Sequence, residues 1–303
     1  MPYDEEHCNL CDSELRVAFS EVHDPQSGHL FSILRCPECG LGHTRPQPDD
    51  LGAYYGPQYH GGRHGITEQL CNRRRLRFVK AVARPSSLLD FGCGDGGFLE
   101  AAAVAGWNAV GVETQPQYAR SKGLTVVERV EDTTGPFDLI TLWHSLEHVR
   151  SPRDVLETLF RRLSHGGTLI VAVPNAESLQ ARLFGPIWFH LDVPRHLFHF
   201  TPTALGRLLE NCGLEVVRRW HLELEMDLFG WTQSVLNGII HRPNVLFDVL
   251  TRRGRHHRPF EVGASLVLGT AATIAAAPLV PLAASISKGA VVIFAAKKRD
   301  AAA

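Results

Sequence analysis

The sequence has no excess of charge. Its 31 Lys and Arg stand against 32 Asp and Glu, a formal net charge of −1, so no overall field gathers nucleic acid. The opening residues, Met1-Pro2-Tyr3-Asp4-Glu5-Glu6, lack the apolar core of a secretory signal. Without such a signal the seven cysteines read as reduced thiols or metal ligands, not as a disulfide framework. Charge is absent altogether from residues 262–287. The rest of the composition is that of an ordinary globular chain, 44% hydrophobic, and 303 residues leave room for one large domain and one small one.

Four cysteines form two knuckles, Cys8-x-x-Cys11 and Cys36-x-x-Cys39, separated by a stretch that suits a small β-hairpin. Four thiolates at this spacing complete a closed tetrahedral zinc site. A closed site leaves no coordination position for a substrate, so the expected zinc is structural. Cys71, Cys93 and Cys212 show no partner pattern.

The densest motif runs over residues 88–99. A short apolar strand enters a turn, Asp90-Phe91-Gly92-Cys93-Gly94-Asp95-Gly96-Gly97, and a helical pattern follows. Gly92 and Gly94 reach backbone angles closed to other residues and let a ligand lie against bare main chain. The next helix aims its unpaired N–H groups at the same place. Gly92-x-Gly94-x-x-Gly97 satisfies a dinucleotide pattern, and Gly92-x-Gly94-x-Gly96 satisfies that of S-adenosylmethionine (SAM). Glu113, about 20 residues on, stands where an acid bonds a ribose hydroxyl in either class. Asp90 favours SAM, since it would meet a cationic amino group and repel a pyrophosphate.

The ordered motifs 90–94, 110–113, 137–140 and 166–175 resemble those of class I SAM-dependent methyltransferases, near the ubiquinone-type O-methyltransferases. The resemblance covers roughly residues 54–222 and 289–296. It implies an α/β fold: a Rossmann-like seven-stranded methyltransferase sheet, here with a small N-terminal zinc ribbon and an apolar helical insertion between strands six and seven. It implies a SAM site at Asp90, Gly92, Cys93, Gly94, Gly96 and Glu113, with Asp132 meeting the adenine amino group. The cysteine spacing also resembles the N-terminal zinc-binding module of some sugar methyltransferases.

The expected organisation is a ribbon over 1–47, a linker and lid helix over 48–84, a SAM-binding core over 85–226, the insertion over 227–288, and a last strand and tail over 289–303. Strands are expected at 87–90, 108–112, 125–127, 137–142, 168–173 and 215–221, with 289–296 antiparallel beside the sixth. Helices between them imply parallel pairing with right-handed crossovers. Ser151-Pro152-x-Asp154 reads as a capped helix start that Gly166-Gly167 ends, and Thr201-Pro202 opens another helix. The aromatic run over 54–59 suits either a lid or packing on the sheet.

As a helix, 262–287 would be about 39 Å long, enough to cross a bilayer. A single crossing would separate strands six and seven, and Pro278 and Pro281 break the helix. Arg252, Arg253, Arg255 and Arg258 precede the segment, and Lys288, Lys297 and Lys298 follow it. The pattern suits an apolar hairpin in one leaflet on the inner membrane face. A homodimer contact or core packing is the competing reading.

By the resemblance, the acceptor meets the methyl donor above strands four and five. The loop Trp143-His144-Ser145-Leu146-Glu147-His148 lacks the Asn/Asp-Pro-Pro-aromatic pattern that binds nucleobase amines. It is similar to the ubiquinone-type Glu-x-x-Glu-His that binds a divalent cation, but His144 replaces the first glutamate. That departure disfavours a second divalent metal at Glu147 and His148, and turns any preference from magnesium towards softer ions. A second polar cluster, 189–200, holds His190, Asp192, Arg195, His196 and His199. Methyl transfer to oxygen needs a group to take the acceptor's proton; His196 is the first candidate, then His148 and His144. The leading function is SAM-dependent methylation of a small-molecule or lipid-linked acceptor by a cytoplasmic enzyme at the membrane face. The alternatives are a zinc-ribbon RNA methyltransferase, using Arg73-Arg74-Arg75 and the arginines at 252–258 on phosphates, and a non-catalytic assembly protein on a vestigial methyltransferase fold. A nicotinamide oxidoreductase lacks an evident tyrosine–lysine pair.

Overall fold

The computed structural model describes residues 6–55, 66–251 and 257–299. Along the chain the strands are β1 (Arg16–His23), β2 (Leu30–Arg35), β3 (Gly42–Arg45), β4 (Ser87–Phe91), β5 (Asn108–Val112), β6 (Val126–Val127), β7 (Phe137–Trp143), β8 (Leu163–Pro174), β9 (Phe198–His199), β10 (Leu214–Trp220) and β11 (Val291–Lys298). The α-helices are α1 (Ile66–Lys80), α2 (Gly97–Val104), α3 (Gln117–Ser121), α4 (Pro152–Arg162), α5 (Leu179–Phe184), α6 (Pro202–Asn211), α7 (Leu224–Ile239), α8 (Val245–Leu250), α9 (Pro259–Ala276) and α10 (Leu279–Ser285). The described residues fall into two compact units. A ribbon unit is drawn from Met1–Gly62, Pro174–Leu205 and Trp220–Val292, and a sheet unit from Arg63–Val173, Gly206–Arg219 and Ile293–Ala303. The core expected over 85–226 is divided between them.

The sheet unit is built on seven strands in the order β10-β11-β8-β7-β4-β5-β6. β4 pairs in parallel with β5 and β7, β7 with β8, and β5 with β6. Leu88, Leu89, Leu139, Ile140, Leu142 and the run from Leu169 to Val173 are fully buried. Such unbroken apolar strands suit a parallel sheet covered on both faces. Parallel pairing also brings the carboxyl ends of β4, β5 and β7 to one edge, where the glycine turn lies. The strand at 289–296 is β11, and it stands between β8 and β10.

Three local expectations change. α4 stops at Arg162 and β8 begins at Leu163, so Gly166 and Gly167 lie inside the strand instead of ending the helix. The register slips there: Phe137 pairs with Leu163 and Leu139 with Thr168, and Gly166, at φ +69°, absorbs the extra residues. Ser151 occupies the cap position of α4 without a side-chain capping bond, while Pro152 pre-sets the first turn and Asp154 lies in it, as expected. Pro281 does not break a helix. It sits in the first turn of α10, where its missing N–H would have had no intrahelical partner.

The ribbon unit carries a four-stranded antiparallel sheet, β1-β2-β3-β9. β1 and β2 form the hairpin expected between the knuckles. β9, unforeseen in the sequence, closes the sheet: Gly42 pairs with His199 and His43 with Phe198. Val22, Phe31, Ile33, Trp188, Leu191 and Val193 form its core, with Tyr54 packed against it. Tyr54 therefore packs, while residues 56–59 of the same aromatic run lie outside the described residues.

α7 to α10 make up the insertion. α9 has a mean hydropathy of 1.3 and is 17% buried; by length and composition it could cross a membrane. Its inward residues are small, Ser265, Gly269 and Ala276. A Cβ on Gly269 would stand 2.9 Å from Leu246 Cδ2, so α8 packs directly on this backbone. The large apolar side chains turn outward: Phe260 is 83%, Val267 71% and Ile274 70% exposed. Arg252, Arg253 and Arg255 lie outside the described residues.

Candidate functional site

The glycine turn is fastened by main chain. Gly92 N and Cys93 N both donate to Val112 O, at 2.8 and 3.1 Å, tying the end of β4 to the end of β5. Gly92 stands at φ +70°, and a side chain there would run into Ser145. Gly94 stands at φ +56° with no described atom within 4 Å of where its Cβ would be. That face of the turn is open. Gly96, at φ +81°, precedes α2.

Glu113 points back at the turn. Its Oε2 accepts from Gly94 N at 3.0 Å, and its Oε1 accepts from Thr114 Oγ1 at 3.0 Å and Gln115 N at 3.3 Å. The carboxylate is thereby fixed in orientation while its oxygens keep acceptor capacity. Asp90 is 2% exposed and accepts from Thr141 Oγ1 at 2.6 Å. Burial pushes its carboxyl up to about 7, against the pull of the Thr141 hydroxyl and the Arg75 cation. A buried acid in this state gains from a cation placed beside it. Cys93 contributes main chain only. Its sulfur lies against Gly111, and burial pushes the thiol well above its ordinary value. These residues fit SAM: an open cradle at Gly94, an oriented acid for the ribose, and a buried acid for the amino group.

Arg75, which the sequence offered only as an RNA contact, is a charged neighbour of Asp90. Its guanidinium lies 5.1 Å from the Trp143 ring centroid, and Phe98 meets the same ring edge-on at 5.5 Å. The arginine run considered for RNA is thus partly committed inside its own unit. Only its place on α1, one helix before the glycine turn, would have pointed to it.

The loop after β7 places His144 at φ +52°, its N–H donating to Ala172 O at 2.9 Å. His144 Nδ1 lies 3.6 Å from Oε1 of the fully buried Glu147. His148 is half-buried in the short turn Leu146–His148. An imidazole and a carboxylate therefore stand side by side where the resemblance puts a cation. Asp132 is exposed, in the turn Val130–Asp132, with its N–H on Arg129 O at 3.1 Å.

In the ribbon unit the sulfurs of Cys8, Cys11, Cys36 and Cys39 all lie within 4.8 Å of one another. Cys8 and Cys39 Sγ are 3.6 Å apart, Cys11 and Cys36 Sγ 3.3 Å. Sulfurs about 2.3 Å from a tetrahedral zinc stand about 3.8 Å apart, so the donor set fits that ion. The amide of Cys39 donates to Cys36 Sγ at 3.5 Å. The Cys8 thiol is pushed down to about 3 by the Cys39 thiol, the His43 ring and two backbone amides, while Cys39 is pushed up.

The segment 189–200 sorts its histidines. His199 is fully buried, and burial holds its pKa well below the ordinary value. His190 Nε2 meets Met226 O at 3.1 Å. His196 Nδ1 lies 2.9 Å from His190 O. A carbonyl only accepts, so Nδ1 carries a hydrogen, and Nε2 stands 4.0 Å from Asp192 Oδ2. Arg195, 2% exposed, donates to Asp192 Oδ1 from Nε at 2.9 Å and from Nη2 at 2.7 Å. The same Nη2 reaches the buried Asp24 Oδ1 at 3.1 Å, and Nη1 reaches Tyr54 O at 3.3 Å. Arg195 is thus a structural cation. His144, Glu147 and His148 belong to the sheet unit, and His196 to the ribbon unit.

A family model described as a methyltransferase domain matches residues 63–219, more than half of the chain. The ubiquinone biosynthesis O-methyltransferase of Methylococcus capsulatus is 30% identical over 168 residues, 48% of this chain and 70% of the relative. That of Pseudomonas aeruginosa is 30% identical over 168 residues, 48% of this chain and 72% of the relative. Among solved structures, a SAM-dependent methyltransferase from Archaeoglobus fulgidus superposes with a TM-score of 0.50 at 17% identity, covering 82% of this chain and all of the other. Phosphoethanolamine N-methyltransferase 2 of Haemonchus contortus, solved with SAM, gives 0.52 at 15% identity, covering 84% and 59%. At such identities the structures speak for the fold alone. With the family match, the relatives and the seven-stranded sheet agreeing, the chain belongs to the class I SAM-dependent methyltransferases.

Proposed function

We propose that this methyltransferase acts on an oxygen of a small-molecule or lipid-linked acceptor, as a cytoplasmic enzyme at the membrane face. The observation that carries the cofactor half is the open face of Gly94 beside the Glu113 carboxylate, 3.0 Å from the Gly94 amide. In this reading Asp90 faces the amino group, the main chain of Gly92, Cys93, Gly94 and Gly96 lies along the cofactor, Glu113 takes the ribose, and Asp132 the adenine amino group. Bound SAM would supply an electrophilic methyl group to the acceptor oxygen. His196 takes the acceptor's proton on Nε2, with His148 and His144 as the next candidates. The O-methyltransferase names of the relatives support oxygen as the acceptor atom. The tautomer set by His190 O supports His196.

The zinc is structural, held by Cys8, Cys11, Cys36 and Cys39. The membrane half rests on α9 and α10, which expose Val267, Ile274 and Leu282 in the charge-free stretch 262–287, with Phe260 exposed just before it. β10 and β11, which flank the insertion, are neighbours in one sheet. A single crossing would part them, which supports helices that lie along one face of a membrane.

Titration with S-adenosylhomocysteine by calorimetry tests the cofactor, and a flat titration at millimolar ligand removes it. Flotation with anionic vesicles tests the surface. Wild-type protein should float and Phe260→Glu should stay behind. Equal behaviour, with dimerisation of the wild type alone, would assign α9 to a second copy.

A further inference from the structure

The cysteine ribbon reaches well beyond its own hairpin. Three residues after the second knuckle, β3 begins, and it is wholly buried. On its far side lies the segment that carries His196. Gly42 and His43 pair with His199 and Phe198. A Cβ on Gly42 would come within 2.9 Å of His199 Cβ, so a glycine is needed for this approach. Thr44 N donates to Leu197 O at 3.0 Å. Thr44 Oγ1 donates to His196 O at 2.6 Å and accepts from His199 Nε2 at 3.0 Å. Beyond His199, Thr201 Oγ1 donates to Cys39 O at 3.2 Å while accepting from Ala204 N at 3.0 Å. On the other side of His196, Arg195 is locked between Asp192 and Asp24.

His196 is thus held at both ends. Its carbonyl oxygen is gripped by Thr44, and its ring Nδ1 by His190 O. Neither grip uses Nε2. The cysteine knuckle, not a helix or a parallel strand, supplies the rigid side of this arrangement.

We propose that Thr44 is a positioning residue, through which the cysteine-bound ribbon sets the backbone of His196 and hence the direction of its imidazole. The proposal rests on reading His196 as the group that takes the acceptor's proton, but its physical content, a tether from ribbon to loop, is measurable without any acceptor. Zinc in this role organises a proton-transfer group from outside the reaction. Loss of the metal then acts on the acceptor side of the chemistry and spares the glycine turn.

The test uses the full chain in its zinc-loaded form. Thr44→Val keeps volume and deletes the hydroxyl; Thr44→Ser restores it. Amide exchange over residues 192–201 should speed up about tenfold in Thr44→Val and return to the wild-type rate in Thr44→Ser. Nitrogen NMR should show His196 as the Nδ1–H tautomer in the wild type and Thr44→Ser, and as a tautomer mixture in Thr44→Val. Zinc content and the affinity for S-adenosylhomocysteine should not change. Should Thr44→Val fail to fold, chelation of zinc from the wild type serves in its place, with faster exchange over 192–201 and unchanged exchange over 88–99. Unchanged exchange over 192–201 in both experiments, with His196 keeping its tautomer, overturns the tether. A wild type that binds no S-adenosylhomocysteine overturns the cofactor reading instead, and the exchange comparison still decides the tether.

Discussion

The turn at Gly92–Gly96 is held by main chain: amides on Val112 O, an amide on Glu113, glycines at positive φ. The ribbon is held by side chains: four thiols, a buried arginine between two aspartates, a threonine hydroxyl shared by two histidine residues. Main chain can place a ligand with few side chains committed; in that turn Asp95 Oδ1 accepts from Gly97 N at 3.1 Å. A side-chain scaffold leans on each of its members, because most, such as Asp24, Arg195 and Cys36, are buried with their partners.

The comparison breaks most sharply at the metal. Cys36→Ser should abolish zinc uptake and unfold the hairpin, because structural zinc contributes on the order of 10 kcal/mol. Metal analysis and amide exchange over 6–55 read this out, and the affinity for S-adenosylhomocysteine should survive. Loss of that affinity along with the zinc would show one cooperative structure where two supports are described.

Next is Arg195→Ala. It strands Asp24, which is fully buried, and should cost about 3–5 kcal/mol in urea unfolding. A cost below about 1 kcal/mol would mean that the pair behaves like a surface ion pair.

In the sheet unit Asp90 gives a pH signature. Its carboxyl titrates near 3.8 unfolded and about 7 folded. The folded chain therefore holds a proton that the unfolded chain has released, and stability falls as pH rises through that window, by up to about 4 kcal/mol. Asp90→Asn should flatten the fall, so the variant gains on the wild type from about pH 4 to about pH 7. Parallel pH profiles for the two proteins would contradict the buried acid. Smallest of the four, Glu113→Ala should weaken S-adenosylhomocysteine binding by about 1.5–3 kcal/mol in calorimetry while the ribbon keeps its zinc.

The sequence made the local devices readable. A knuckle spans four residues and the glycine turn five, so composition and spacing name both. The β4, β5 and β7 runs were readable for the same reason. Unreadable were contacts between distant residues. Asp24 and Arg195 are 171 positions apart, and two-residue β9 is no strand by propensity until β3 lies beside it. Gly166-Gly167 looked like a helix stop because glycines end helices more often than they carry a bulge. Arg75 was hidden among arginines whose default is solvent, although the indole of Trp143 lies under its guanidinium.

The β3–β9 pairing also dictates an order of assembly. Thr44 and His199 are 155 positions apart. A ribosome finishes the knuckles long before it makes the strand that completes their sheet, so the nascent ribbon presents an open edge while the whole glycine turn and its parallel strands are being synthesised. A metal acquired early would keep that edge in shape until its partner arrives.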